Sequence, residues 1–102
     1  MTNLEGTIIT RCVMDILEAG FTMSVYDGEE TVVNESKDPA EILDNLGHCD
    51  EEILIVHGDG VRRGGAISLV YGNDEWDVIS DYHDHLDQYL TKTNELIEKV
   101  SE

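Results

Sequence analysis

A chain of 102 residues with 23 Asp and Glu against 6 Lys and Arg carries a formal charge of −17. An ordinary soluble domain keeps its net charge to a magnitude of about 2–8, so self-repulsion here works against the compact state and points to a basic partner that offsets it. The sign opposes direct binding of DNA or RNA and of anionic lipid, and the length suits one core rather than two.

The apolar share is 40%, with nine Ile and nine Leu, so a core can form despite the charge. The whole chain, 1–102, reads as a single acidic α+β domain. Met1–Gly6 lacks the basic start and apolar run of a signal peptide. Ile53–Val56, the longest apolar stretch, is far too short for a bilayer span. The expected location is therefore the cytoplasm, with Cys12 and Cys49 reduced and buried.

The elements follow in chain order. Ile8, Ile9, Cys12, Val13, Ile16 and Leu17 recur at helical spacing and predict a helix over 5–20. The alternation in Phe21–Tyr26 predicts a strand, and Asp27-Gly28 predicts a hairpin returning over 30–34. Asp38 as N-cap and Pro39 as first helical residue open a second helix, with Ile42, Leu43 and Leu46 as its apolar side and Gly47 as its stop. Glu52–His57 reads as a strand buried on both faces. The glycine-rich segment Gly58–Gly65 reads as a flexible hairpin loop into a fourth strand, Ala66–Tyr71. From about Ser80 to Val100, the stripe Ile79, Tyr82, Leu86, Tyr89, Thr93, Leu96, Ile97, Val100 predicts one long helix. The order is α-β-β-α-β-β-α, an antiparallel four-stranded sheet with helices on one face.

Asp74, Glu75, Asp77, Asp81, Asp84 and Asp87 fall within fourteen residues that hold no Lys or Arg. Trp76–Ile79 reads either as a short extended segment or as a first helical turn; on a helix that includes this turn, Asp77, Asp81 and Asp84 sit at i, i+4 and i+7 and form one row, rising about 5.4 Å per turn. Such a row is a loose imitation of the phosphates of a nucleic-acid strand, which rise about 3.4 Å each. Asp50, Glu51 and Glu52 add a second acidic spot, and Asp27, Glu29 and Glu30 a third. Trp76 and Tyr82 are candidate apolar anchors for a partner. A merely solvated helix face pairs its acids with bases four residues on; here Lys92 and Lys99 lie beyond the cluster.

No nucleophile elbow or Cys–His signature is present, so the expectation is a protein that is not an enzyme and carries no cofactor. His83 and His85 diverge on a helix and do not share a metal there; no metal site is expected. Arg62 and Arg63 form the one basic spot, available to an acidic surface of a second copy.

The block Tyr71-Gly72-Asn73-Asp74-Glu75-Trp76-Asp77-Val78-Ile79-Ser80-Asp81-Tyr82 resembles one found in small acidic proteins of phages and prophages. That resemblance, over about the last third of the chain, implies a viral accessory protein, a group that includes inhibitors of restriction and CRISPR systems. Together with the charge it gives the leading expectation: an inhibitor whose acidic surface occupies a basic nucleic-acid groove of a host defence complex. The rival expectation is a small interaction or scaffold protein that works as a homodimer through the last helix, its acidity serving solubility.

Overall fold

In the computed structural model, which describes residues 1–101, the chain folds as α+β, with three helices packed against an antiparallel sheet. The sheet has five strands rather than four, in the order β2-β1-β3-β4-β5. The elements are α1 (Asn3–Glu18), β1 (Thr22–Tyr26), β2 (Thr31–Ser36), α2 (Pro39–Asp44), β3 (Glu51–His57), β4 (Gly65–Val70), β5 (Ile79–Tyr82) and α3 (Thr91–Val100).

Local chemistry accounts for the boundaries. Thr2 caps α1 through a capping box with Glu5. Asp38 accepts the Ala40 N–H at the start of α2, with Pro39 behind it as the sequence predicts. Asp27 Oδ1 accepts the N–H groups of Glu29 and Glu30 at 2.9 Å each, which closes the β1–β2 hairpin.

Along β1, β3 and β4, the alternate residues Met23 and Val25, Leu54 and Val56, Ile67 and Leu69 form the core face of the sheet. They meet Ile8, Ile9, Cys12, Val13 and Ile16 of α1 in one core. The helices therefore cover one face of the sheet. β3 is buried on that face only; Ile53, Ile55 and His57 on its other face are partly exposed, not enclosed as the apolar run suggests.

The long C-terminal helix is the main correction. Residues 79–90 form β5 and then a 3-10 helix, Asp84–Tyr89, and only Thr91–Val100 is α-helix. A bulge explains the misleading periodicity. Ile67 pairs with Tyr82 and Leu69 with Ile79, so Ser80 and Asp81 together oppose Ser68. Ile79 and Tyr82 thus both pack against the core three residues apart, a spacing that in sequence is indistinguishable from a helix face.

α3 is fixed to α1 by a buried carboxylate. Asp15 Oδ2 accepts the Thr93 N–H at 2.9 Å and the Thr93 hydroxyl at 2.7 Å, while Oδ1 lies 3.2 Å from Arg11. Asp15→Ala leaves these donors enclosed without a partner and is expected to cost about 2–4 kcal/mol, seen as a lower denaturant midpoint with unchanged slope.

Glu5 ties the loop after β4 to the same helix. Its carboxylate is 1% exposed and accepts Thr2 N–H at 2.8 Å and Gly72 N–H at 3.1 Å. Burial raises its pKa, but the Thr2 and Gly72 N–H groups, the Thr2 hydroxyl and the N-terminal charge outweigh it and hold the carboxyl below its ordinary 4.5. A depressed pKa stabilises the fold above the unfolded value and ceases to do so as the pH falls. Glu5→Gln is therefore expected to melt earlier than the parent at pH 7, and the gap is expected to close as the pH drops below 4.5 in a thermal-melt series.

Candidate functional site

The row formed by Asp77, Asp81 and Asp84 on one helix does not exist. Asp77 lies in a 3-10 turn, Glu75–Asp77; Asp81 lies on β5; Asp84 opens the second 3-10 helix. All three are exposed, on three different elements. Asp87 accepts hydrogen bonds from the Tyr82 hydroxyl at 2.6 Å and from Asn94 Nδ2 at 3.0 Å, so it braces β5 against α3. Tyr82 is partly buried against the core, and its hydroxyl is pushed above its usual pKa, first by burial and then by the bond to Asp87.

Glu52 also leaves the set of available acids. It is 2% exposed, and its carboxylate accepts Gly47 N–H at 2.7 Å, His48 N–H at 3.4 Å and the Tyr71 hydroxyl at 2.5 Å. It is a buried clamp between the loop before β3 and the end of β4. Burial and this carboxylate drive the Tyr71 hydroxyl far above its ordinary pKa, so Tyr71 stays a donor.

Eight acids of three connections gather at one end of the sheet. β1 ends there, β2 and β3 begin there, β4 ends there and β5 begins there. Three connections meet at that end: the hairpin with Asp27, Glu29 and Glu30, the segment with Asp50 and Glu51, and the loop with Asp74, Glu75, Trp76 and Asp77. None contains Lys or Arg. The Tyr71 N–H donates to the Asp50 carbonyl at 3.0 Å, which joins the last two. Cys49, exposed rather than buried, reports the shared field: its thiol is raised first by desolvation, then by the charges of Asp27, Glu52, Glu29 and Asp50. Trp76 stands 38% exposed among the carboxylates of its own loop.

The basic residues of the loops lie at the other end. Arg62 is not free for a second copy. It pairs with Asp59 at 2.8 Å, donates to the Ala19 carbonyl, and stacks 4.2 Å over the Phe21 ring. The Arg62 N–H, the Arg62 side chain and the Val61 N–H hold the Asp59 carboxyl down to about 2, so the glycine-rich loop is tied rather than loose. Gly64 is required by packing, since a Cβ there would meet the Val56 carbonyl oxygen at 2.2 Å. His83 and His85 stand with ring centroids 5.8 Å apart, and His85 Nε2 donates to the Gly64 carbonyl at 2.5 Å. Among the described residues, no three His, Cys, Asp or Glu side chains are grouped to hold a metal ion.

One pairing has no signal in the sequence. Ser24 Oγ lies 2.6 Å from His57 Nε2 and accepts the Glu35 N–H at 2.9 Å, and a Glu35 carboxylate oxygen stands 3.9 Å from His57 Nδ1. The three residues come from β1, β3 and β2, 11 to 33 positions apart, and only the strand register unites them. Ser24 is 2% exposed and its oxygen is engaged on both sides. Its visible role is to seat the irregular end of β2, where Glu35 takes a left-handed φ of +46°.

No helix among the described residues is long and apolar enough to cross a membrane. Comparison with known proteins adds no relative: no family model matches the chain, and no curated protein or solved structure is significantly similar to it.

Proposed function

We propose that this chain is a non-enzymatic inhibitor of phage origin that places a carboxylate-rich surface in the basic nucleic-acid groove of a host defence complex, a CRISPR effector or a restriction enzyme. The observation that carries the reading is the segregation of charge: three acidic connections at one end of the sheet, with the loop cations at the other. Lys and Arg that neutralise phosphates are the main source of affinity for nucleic acid, and a fixed cluster of carboxylates competes for those cations. The contact surface is this sheet end, with Asp50, Glu51, Asp74, Glu75 and Asp77 around Trp76, in place of a helical row.

Rigidity supports the reading. The loop holding Asp74–Asp77 is anchored by Gly72 N–H on Glu5 and by the Tyr71 hydroxyl on Glu52, so its acids are positioned before a partner arrives. Preorganisation of this kind lowers the ordering cost of binding. The scaffold alternative rests on the apolar side of the last helix, where Leu96, Ile97 and Val100 are partly buried against the core and α3 lies along α1, so less apolar surface is left for a second copy. The experiment is displacement of a labelled oligonucleotide from a purified defence complex across a salt series. Displacement that weakens by about tenfold or more between low and high salt is expected; salt-independent displacement, or none, contradicts the proposal.

A further inference from the structure

The face of the sheet turned away from the helices has no covering layer, yet it is not a polar face. An open antiparallel face ordinarily shows polar side chains to water. Here the register puts Tyr26, Ile53, Ser68 and Asp81 in one cross-strand row, beside Ile55 and the neighbouring pair Glu51–Val70. Tyr26, Ile53, Ile55 and Val70 are partly exposed. With strands about 4.8 Å apart, Asp81 stands roughly 10 Å from Ile53 across the sheet. No strand contains a Lys or Arg, although edge strands commonly carry Lys to discourage pairing. The face thus carries an apolar strip, Tyr26, Ile53, Ile55 and Val70, bordered by Ser68 and His57 and flanked by Glu51 and Asp81, with no Lys or Arg on its described strands.

Charge decides the occupant. A second copy would bring carboxylates against carboxylates, on chains of −17 each. Grooves that bind single-stranded nucleic acid have the opposite pattern: Lys and Arg for the backbone, with aromatic side chains on which bases stack. We infer that the open face docks on such a groove, Glu51 and Asp81 meeting its cations and the strip of Tyr26, Ile53, Ile55 and Val70 meeting its stacking side chains. This rests on the inhibitor reading and narrows the partner to a single-strand-binding surface, as opposed to one that grips only duplex phosphates.

The test uses two synthetic peptides of equal positive charge, one of Lys with Ser spacers and one of Lys alternating with Trp, titrated into the isotope-labelled protein. The Lys–Trp peptide is expected to bind about tenfold tighter and to shift the amides of Ile53, Ile55, Ser68 and Val70. The double variant Ile53→Gln, Ile55→Gln is expected to abolish that advantage while leaving affinity for the Lys–Ser peptide unchanged. Ser68→Lys, a polar exchange on the same face, independently should weaken the Lys–Trp peptide most. If both peptides bind equally, or shifts are confined to the acidic connections, the open face is not the docking surface while the inhibitor reading stands. If neither peptide binds at low salt, both are overturned.

Discussion

Replacing Leu86 by aspartate is expected to unfold the protein. Leu86 is fully buried within the 3-10 helix between β5 and α3, where it packs against Gly65 at the start of β4. Losing a buried leucine side chain costs about 2.7–5 kcal/mol. The new carboxylate either remains charged without a partner or must take up a proton, a further cost of several kcal/mol. Together these approach or exceed the about 5–15 kcal/mol that holds an ordinary domain folded. Circular dichroism should show no cooperative thermal transition. Leu86→Met, which keeps volume and apolarity, should cost less than about 1.5 kcal/mol. A Leu86→Asp protein that melts like the parent contradicts the placement of this segment.

Neutralising the loop after β4 is expected to remove partner binding and leave the fold intact. Asp74→Asn, Glu75→Gln and Asp77→Asn together change the formal charge from −17 to −14. All three side chains are exposed, and Asp74 makes no side-chain cap. The turn is closed by the backbone bond from Asp77 N–H to the Asp74 carbonyl, which the substitutions keep. Relief of like-charge repulsion should leave the melting temperature level or slightly raised. Affinity for a basic partner should fall by at least about tenfold at low salt, mainly through slower association. A matched control, Glu41→Gln, Glu95→Gln and Glu98→Gln on the exposed sides of α2 and α3, makes the same change in charge outside the three acidic connections. Equal losses from the two triples would show that bulk charge, not the local surface, drives binding.

Much of this architecture is legible in the chain because short-range chemistry sets it. Asp38-Pro39 marks a helix start and Asp27-Gly28 a hairpin, since each acts through bonds to residues two or three positions on. The α1 stripe is equally direct: Ile8, Ile9, Cys12, Val13 and Ile16 are all fully buried. What was not legible depends on partners remote in sequence. The bulge opposite Ser68 gives β5 the spacing of a helix, and only pairing with β4 distinguishes them. Without that helix there is no acidic row, while the acids of 27–30, 50–51 and 74–77 converge through strand order, which no local pattern encodes. Glu52 looks like its neighbours Asp50 and Glu51, but the pleat turns it inward to Tyr71 and Gly47.

The central claim is that this surface competes with nucleic acid for the same cations. The most direct measurement is fluorescence anisotropy of a labelled oligonucleotide bound to a purified defence complex, titrated with the parent protein, the loop triple and the matched control at low and high salt. The account predicts release of the oligonucleotide by the parent and the control at low salt, little release by the loop triple, and weaker release by all at high salt. Release by the loop triple at the parent's concentration, or release indifferent to salt, would contradict it.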